Sequence, residues 1–99
     1  MTWSNELERF LRTYFADEGI TDGVDLLVGE SRDHPATFPH RALALLQQAI
    51  DAATAGDHEV AAALHRGLGG DLEPLSAALE YLEEVKATFL QRLSELPPT

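Results

Sequence analysis

Apolar positions recur with a helical period along most of the chain. Leu7, Phe10, Leu11, Tyr14 and Phe15 fall at i, i+3, i+4, i+7 and i+8, one continuous stripe down a helix. Ser4 stands where an N-cap is expected, Asn5, Glu6 and Glu8 put polar and acidic groups into the first turn, and Gly19 marks the end. A short second helix is expected through Val24, Leu27 and Val28, capped by Thr21 or Asp22, weakened by Gly29 and fading near Arg32. Leu26 lies off that stripe. The stretch "SRDHPATFP" breaks the pattern with two prolines and several turn formers.

Thr37 is the expected cap of a third helix, with Pro39 tolerated in its first turn. That helix carries Ala42, Leu43, Leu46, Ala49, Ile50 and Ala53 inward, and Gly56 stops it. Asp57 is placed to cap a fourth helix whose inward positions are Val60, Ala63, Leu64 and Leu68, terminated by "GLGGD". From Pro74 a long fifth stripe follows: Leu75, Leu79, Leu82, Val85, Phe89, Leu93 and Leu96, ended by Pro97 and Pro98. No stretch alternates apolar and polar residues for long, and β-branched residues are scarce, so no strand is expected. The chain therefore reads as all-α, a single-domain bundle of about five helices over residues 1–99. A domain of this size buries about two-thirds of its unfolded surface, which leaves little material for a deep cleft.

Charge changes this picture more than composition does. Seventeen acids face seven bases, a formal net charge of −10, while apolar residues make up 44% of the chain, enough for one core. Such a surface repels nucleic-acid backbones and anionic lipid heads and attracts a basic protein. Solubility alone is the plainer use of the same charge. Cysteine is absent, which excludes disulfides and thiolate chemistry. The opening "MTWSNELERF" lacks the basic and apolar regions of a secretory signal, and "ALALL" and "VAAAL" fall far short of a bilayer span, so a cytoplasmic protein is expected. One lysine against six arginines, with abundant alanine, resembles a high-GC bacterial coding bias.

Candidate chemistry is sparse. His58 and His65 are seven residues apart rather than the four of a helical zinc pair, and His34 and His40 flank the proline loop near Asp33 without completing a ligand set. Ser4, Ser31, Ser76 and Ser94 sit in no nucleophile motif, and "GLGGD" lacks the Lys-Ser/Thr of a phosphate loop. No metal, cofactor or catalytic residue is assigned, and an enzyme is the weakest of the readings. The acids cluster instead. Asp17, Glu18, Asp22, Asp25, Glu30 and Asp33 oppose only Arg32 within seventeen residues, and they are the candidate partner-binding residues. Smaller sets comprise Asp51, Asp57 and Glu59 around the third turn, and Glu80, Glu83 and Glu84 on the last helix. Trp3 is placed either to staple the first helix or to meet a partner.

"LERFLRTYFADEG", then "GVDLLVGES", then "RALALLQQAIDAATAGDHEVAAALHRGLGGD" together resemble the small immunity proteins of bacterial contact-dependent growth inhibition systems. The resemblance covers roughly two-thirds of the chain and is carried best by the "LxxFLxxYF" opening. Where members often carry His and then Asp-Trp after the aromatic pair, this chain has Ala16, Asp17, Glu18 and Gly19. The resemblance implies a cytosolic, non-catalytic protein that binds and neutralises the C-terminal toxin domain of a cognate effector. Such toxins are frequently nucleases with basic clefts, which would meet Asp17, Glu18 and the acids after them. The alternative is a small acidic adaptor or regulatory subunit for another protein. A monomer or a weak dimer is expected, Leu26 and Leu90, off their main stripes, allowing the latter.

Overall fold

In the computed structural model, residues 3–16, 19–68 and 75–95 are described. They form five helices: α1 Trp3–Tyr14, α2 Ile20–Asp33, α3 Phe38–Thr54, α4 Glu59–Leu68 and α5 Leu75–Ser94. Among the described residues there is no strand, and no helix is long and apolar enough to cross a membrane. The radius of gyration is 12.9 Å, close to the roughly 13 Å of a packed domain of this length.

The stripes of the sequence become the core. Leu7, Leu11 and Phe15 from the α1 segment meet Val24 and Leu27 of α2, Leu46 and Ala49 of α3, Val60 and Leu64 of α4, and Leu82, Val85 and Phe89 of α5 in one cluster. Removing each such leucine or phenylalanine from water stabilises the fold by about 1.5–3 kcal/mol, which sets the bundle order more firmly than intrinsic helix propensity does. α1 packs most extensively on α4, while α5 lies against both α3 and α2. Two glycines permit the tightest approaches. A Cβ on Gly23 would fall 2.2 Å from the Phe15 ring, and one on Gly67 would fall 2.9 Å from Leu11 Cβ and 3.0 Å from the Glu8 carbonyl oxygen.

Several helix ends differ from expectation. Trp3 already belongs to α1, half-buried against the core, so Ser4 is no cap: it lies within the first turn and is buried, one turn from Leu7 and two from Leu11 on the same face. The helix stops at Tyr14 rather than near Gly19, although the Phe15 N–H still donates to Leu11 O at 2.8 Å. Burying Phe15 over Gly23 fixes that corner. Gly19 is the N-cap residue of α2, so Thr21 and Asp22 are inside the helix rather than capping it; the Gly23 N–H donates to Gly19 O at 2.9 Å. α2 also runs through Gly29 to Asp33, because Leu27 and Ser31 keep its inner face buried, the Ser31 hydroxyl donating to Leu27 O at 2.8 Å.

The remaining boundaries follow the sequence closely. Thr37 precedes α3 as its N-cap residue but makes no side-chain capping bond, and Pro39 sits in the first turn. Gly56 closes the helix with φ of +87°, a conformation that side chains with a Cβ rarely adopt. Asp57 caps α4 as expected, its carboxylate accepting the Glu59 N–H at 3.0 Å. The glycines at 69 and 70, Pro74, Leu96, Pro97 and Pro98 lie outside the described residues, as do Asp17 and Glu18.

Candidate protein-binding surface

α2 is held by its inner residues Gly23, Val24, Leu27 and Ser31, all buried, which turns its polar half outward. At about 100° per residue, Asp22, Leu26, Gly29 and Asp33 form one line along the outer side. All four are exposed, and Leu26, at 47% relative exposure, is one of two large apolar side chains that open to water among the described residues. Asp25 and Glu30 lie on opposite shoulders of that line, about 140° apart around the helix axis. Asp25 faces α5 and forms an ion pair with Arg92. Glu30, half-buried, faces the α1 side, where its charge acts on Tyr14. Burial, and secondarily that carboxylate, push the Tyr14 phenol above its ordinary value. The fold thus brings Asp22 and Asp33 together on one line and sets Asp25 and Glu30 on its two edges.

The acids around the α3–α4 turn are tied into the scaffold. Asp51 accepts a hydrogen bond from Gln47 Nε2 at 2.8 Å, and Asp57 is the α4 cap. Glu59 pairs with Arg66 at 2.9 Å, and the same guanidinium reaches Glu8 of α1 at 2.5 Å, while Arg12 meets Glu8 at 2.8 Å. The Arg66 hydrogen bond, aided by the nearby Arg12 charge, holds the Glu8 carboxyl below its ordinary range. Glu80, Glu83 and Glu84 are exposed on α5. Desolvation, with a smaller contribution from Glu84, raises the Tyr81 phenol to about 12. Leu90 is 44% exposed on α5, but it lies on the same side of that helix as Lys86, which hydrogen-bonds Gln47 of α3. It therefore does not extend the face of α2.

A groove that the sequence did not announce lies between α1 and α3. It has a volume of about 430 Å³, with Phe10, Tyr14, Phe38 and Leu45 among its walls and Arg9 and Arg41 beside them. The aromatic stripe of α1 was legible, whereas Phe38 and Arg41 were not singled out by any pattern. Their meeting depends on the packing of α1 against α3, which no local pattern encodes. Among the described residues no group of three or more His, Asp or Glu side chains is arranged to hold a metal ion, and His34, His40, His58 and His65 are all exposed.

Comparison of the chain with protein-family models, with curated proteins and with solved structures gives no match.

Proposed function

We propose that this chain is an immunity-type inhibitor, which binds a basic toxin domain of a contact-dependent inhibition effector and neutralises it by occupying its surface. The observation that carries the reading is the outward line of α2. In a protein with ten surplus negative charges, a helix anchored by its apolar face presents Asp22 and Asp33 with Leu26 between them. Complementary charge accelerates encounter with a cationic surface, and a desolvated leucine at the centre of the contact contributes to residence once docked. The inhibitor performs no chemistry: covering a cleft that must hold phosphates is sufficient to silence a nuclease. The toxin as partner comes from the resemblance carried by the Leu7–Phe10–Leu11–Tyr14–Phe15 opening and the acids after it.

The test uses Asp22→Lys, Glu30→Lys and Asp33→Lys together, leaving Asp25 in place because its carboxylate also joins α2 to α5. Binding to the C-terminal domain of the effector encoded beside this chain is expected to lose about tenfold or more in association rate. Growth rescue should fall in parallel, with the helical content retained and the thermal midpoint not lowered. A triple variant that binds and protects like the parent would remove α2 from the interface.

A further inference from the structure

The α1–α3 groove is lined by two arginines and one glutamate, in a protein whose net charge is −10. Of the seven basic residues, Arg12, Arg66 and Arg92 are ion-paired, Lys86 is hydrogen-bonded to Gln47, and Arg32, exposed near the end of α2, makes no ion pair among the described residues. Arg9 and Arg41 make no ion pair among the described residues, although acids outnumber bases by seventeen to seven. Both line the same groove, and Glu6, on its rim, supplies one negative charge against their two positive ones. Phe10, Tyr14 and Phe38 line the same groove, with ring centroids 5.3 Å apart for Phe10 and Tyr14 and 6.0 Å for Tyr14 and Phe38. Two arginines without ion pairs that share a groove with aromatic side chains suit a carboxylate attached to an apolar body.

We infer that this groove receives a segment of a protein partner in which an acidic side chain adjoins an aromatic one. The aromatic ring enters against Phe10 and Phe38, and the carboxylate takes the guanidinium donors of Arg9 and Arg41. A free metabolite is the poorer occupant. Small-ligand pockets bury about 70–90% of their ligand, whereas here Glu6, Arg9, Thr13 and Arg41 are all exposed and leave the groove open along its rim. A partner side chain needs only a notch, because the rest of the interface supplies its remaining contacts. The groove is lined by α1 and α3 and takes a ligand opposite in charge to the one proposed for the acids of α2, so the two proposals are tested with different ligands.

The experiment is an amide NMR titration of the intact protein with N-acetyl-Asp-Phe-amide, taken to about 10 mM because an isolated anchor is expected to bind in the millimolar range. Saturable shifts are expected at Arg9, Phe10, Thr13, Arg41 and Ala42. The Asn-Phe analogue should bind about threefold more weakly or worse, and the Lys-Phe analogue more weakly again. Combined Arg9→Gln and Arg41→Gln should abolish that preference without lowering the thermal midpoint, since neither side chain holds an ion pair. The inference is overturned by absent or non-saturable shifts, by shifts centred elsewhere, by Lys-Phe binding as well as Asp-Phe, or by a preference that survives the double substitution. 3-Phenylpropionate binding as tightly as the dipeptide would also overturn it, by making the groove a small-molecule site.

Discussion

Two glycines of α2 are alike in the sequence and opposite in the fold. A Cβ at Gly23 would meet the Phe15 ring at 2.2 Å, whereas one at Gly29 has nothing within 4 Å. Gly29→Ala is therefore expected to stabilise the protein by about 0.5–1 kcal/mol through helix propensity and a less flexible unfolded chain. Gly23→Ala should destabilise it by about 1–3 kcal/mol, because Phe15 is itself buried and has little room to withdraw. Chemical denaturation of the two variants decides the matter, and equal signs would refute the packing described for Phe15. The exposure of Leu26 was legible from its place off the stripe, since that is a local property. The role of Gly23 was not, because it depends on where α1 turns back onto α2. The same holds for Arg9 and Arg41, each an ordinary surface arginine until α1 and α3 are laid side by side.

At the scale of helices, spacing foretold all five, while their ends were less legible. Ser4 looked like a cap because Ser is a good one, but its one-turn offset from Leu7 places it on the inner face, and packing overrides the local preference. Asp57 was read correctly because its capping bond to Glu59 is contained within three residues. The α1–α4 seam carries a pH dependence of definite sign. The Glu8 carboxyl lies below its ordinary 4.5 in the folded state, so its contribution is present above that value and is lost as pH falls through the folded-state value. Glu8→Gln should flatten the acid limb of a stability–pH curve; an unchanged limb would assign acid sensitivity to other carboxylates. On α5 the sign reverses. Tyr81 is raised from 10.0 to about 12, so its neutral form favours folding below 10.0, and that advantage disappears as pH rises towards 12. Tyr81→Phe should therefore lose less stability than the parent between those limits, as followed by circular dichroism.

For the whole molecule, the all-α architecture follows from periodicity alone, and the net charge from counting. How that charge is distributed required the fold, which commits Asp51, Asp57 and Glu59 to internal partners and turns Asp22 and Asp33 outward. Ten surplus negative charges on a body 40 × 24 × 23 Å in extent oppose its compactness. Raising ionic strength from about 0.01 to about 0.15 M shortens the screening length from about 30 to about 8 Å, so the thermal midpoint is expected to rise with added sodium chloride. A falling midpoint would mean that the ion pairs around Arg66 and Arg92 outweigh the repulsion. Arg92 adds a final condition on any basic ligand. A lysine or arginine arriving at α2 finds Asp25 already engaged and must compete with a cation of the protein's own. If a basic ligand docks on α2 as proposed, it and the fastening of α2 to α5 would draw on one shared carboxylate, and its capture would release Arg92 towards Glu95, its other acidic neighbour.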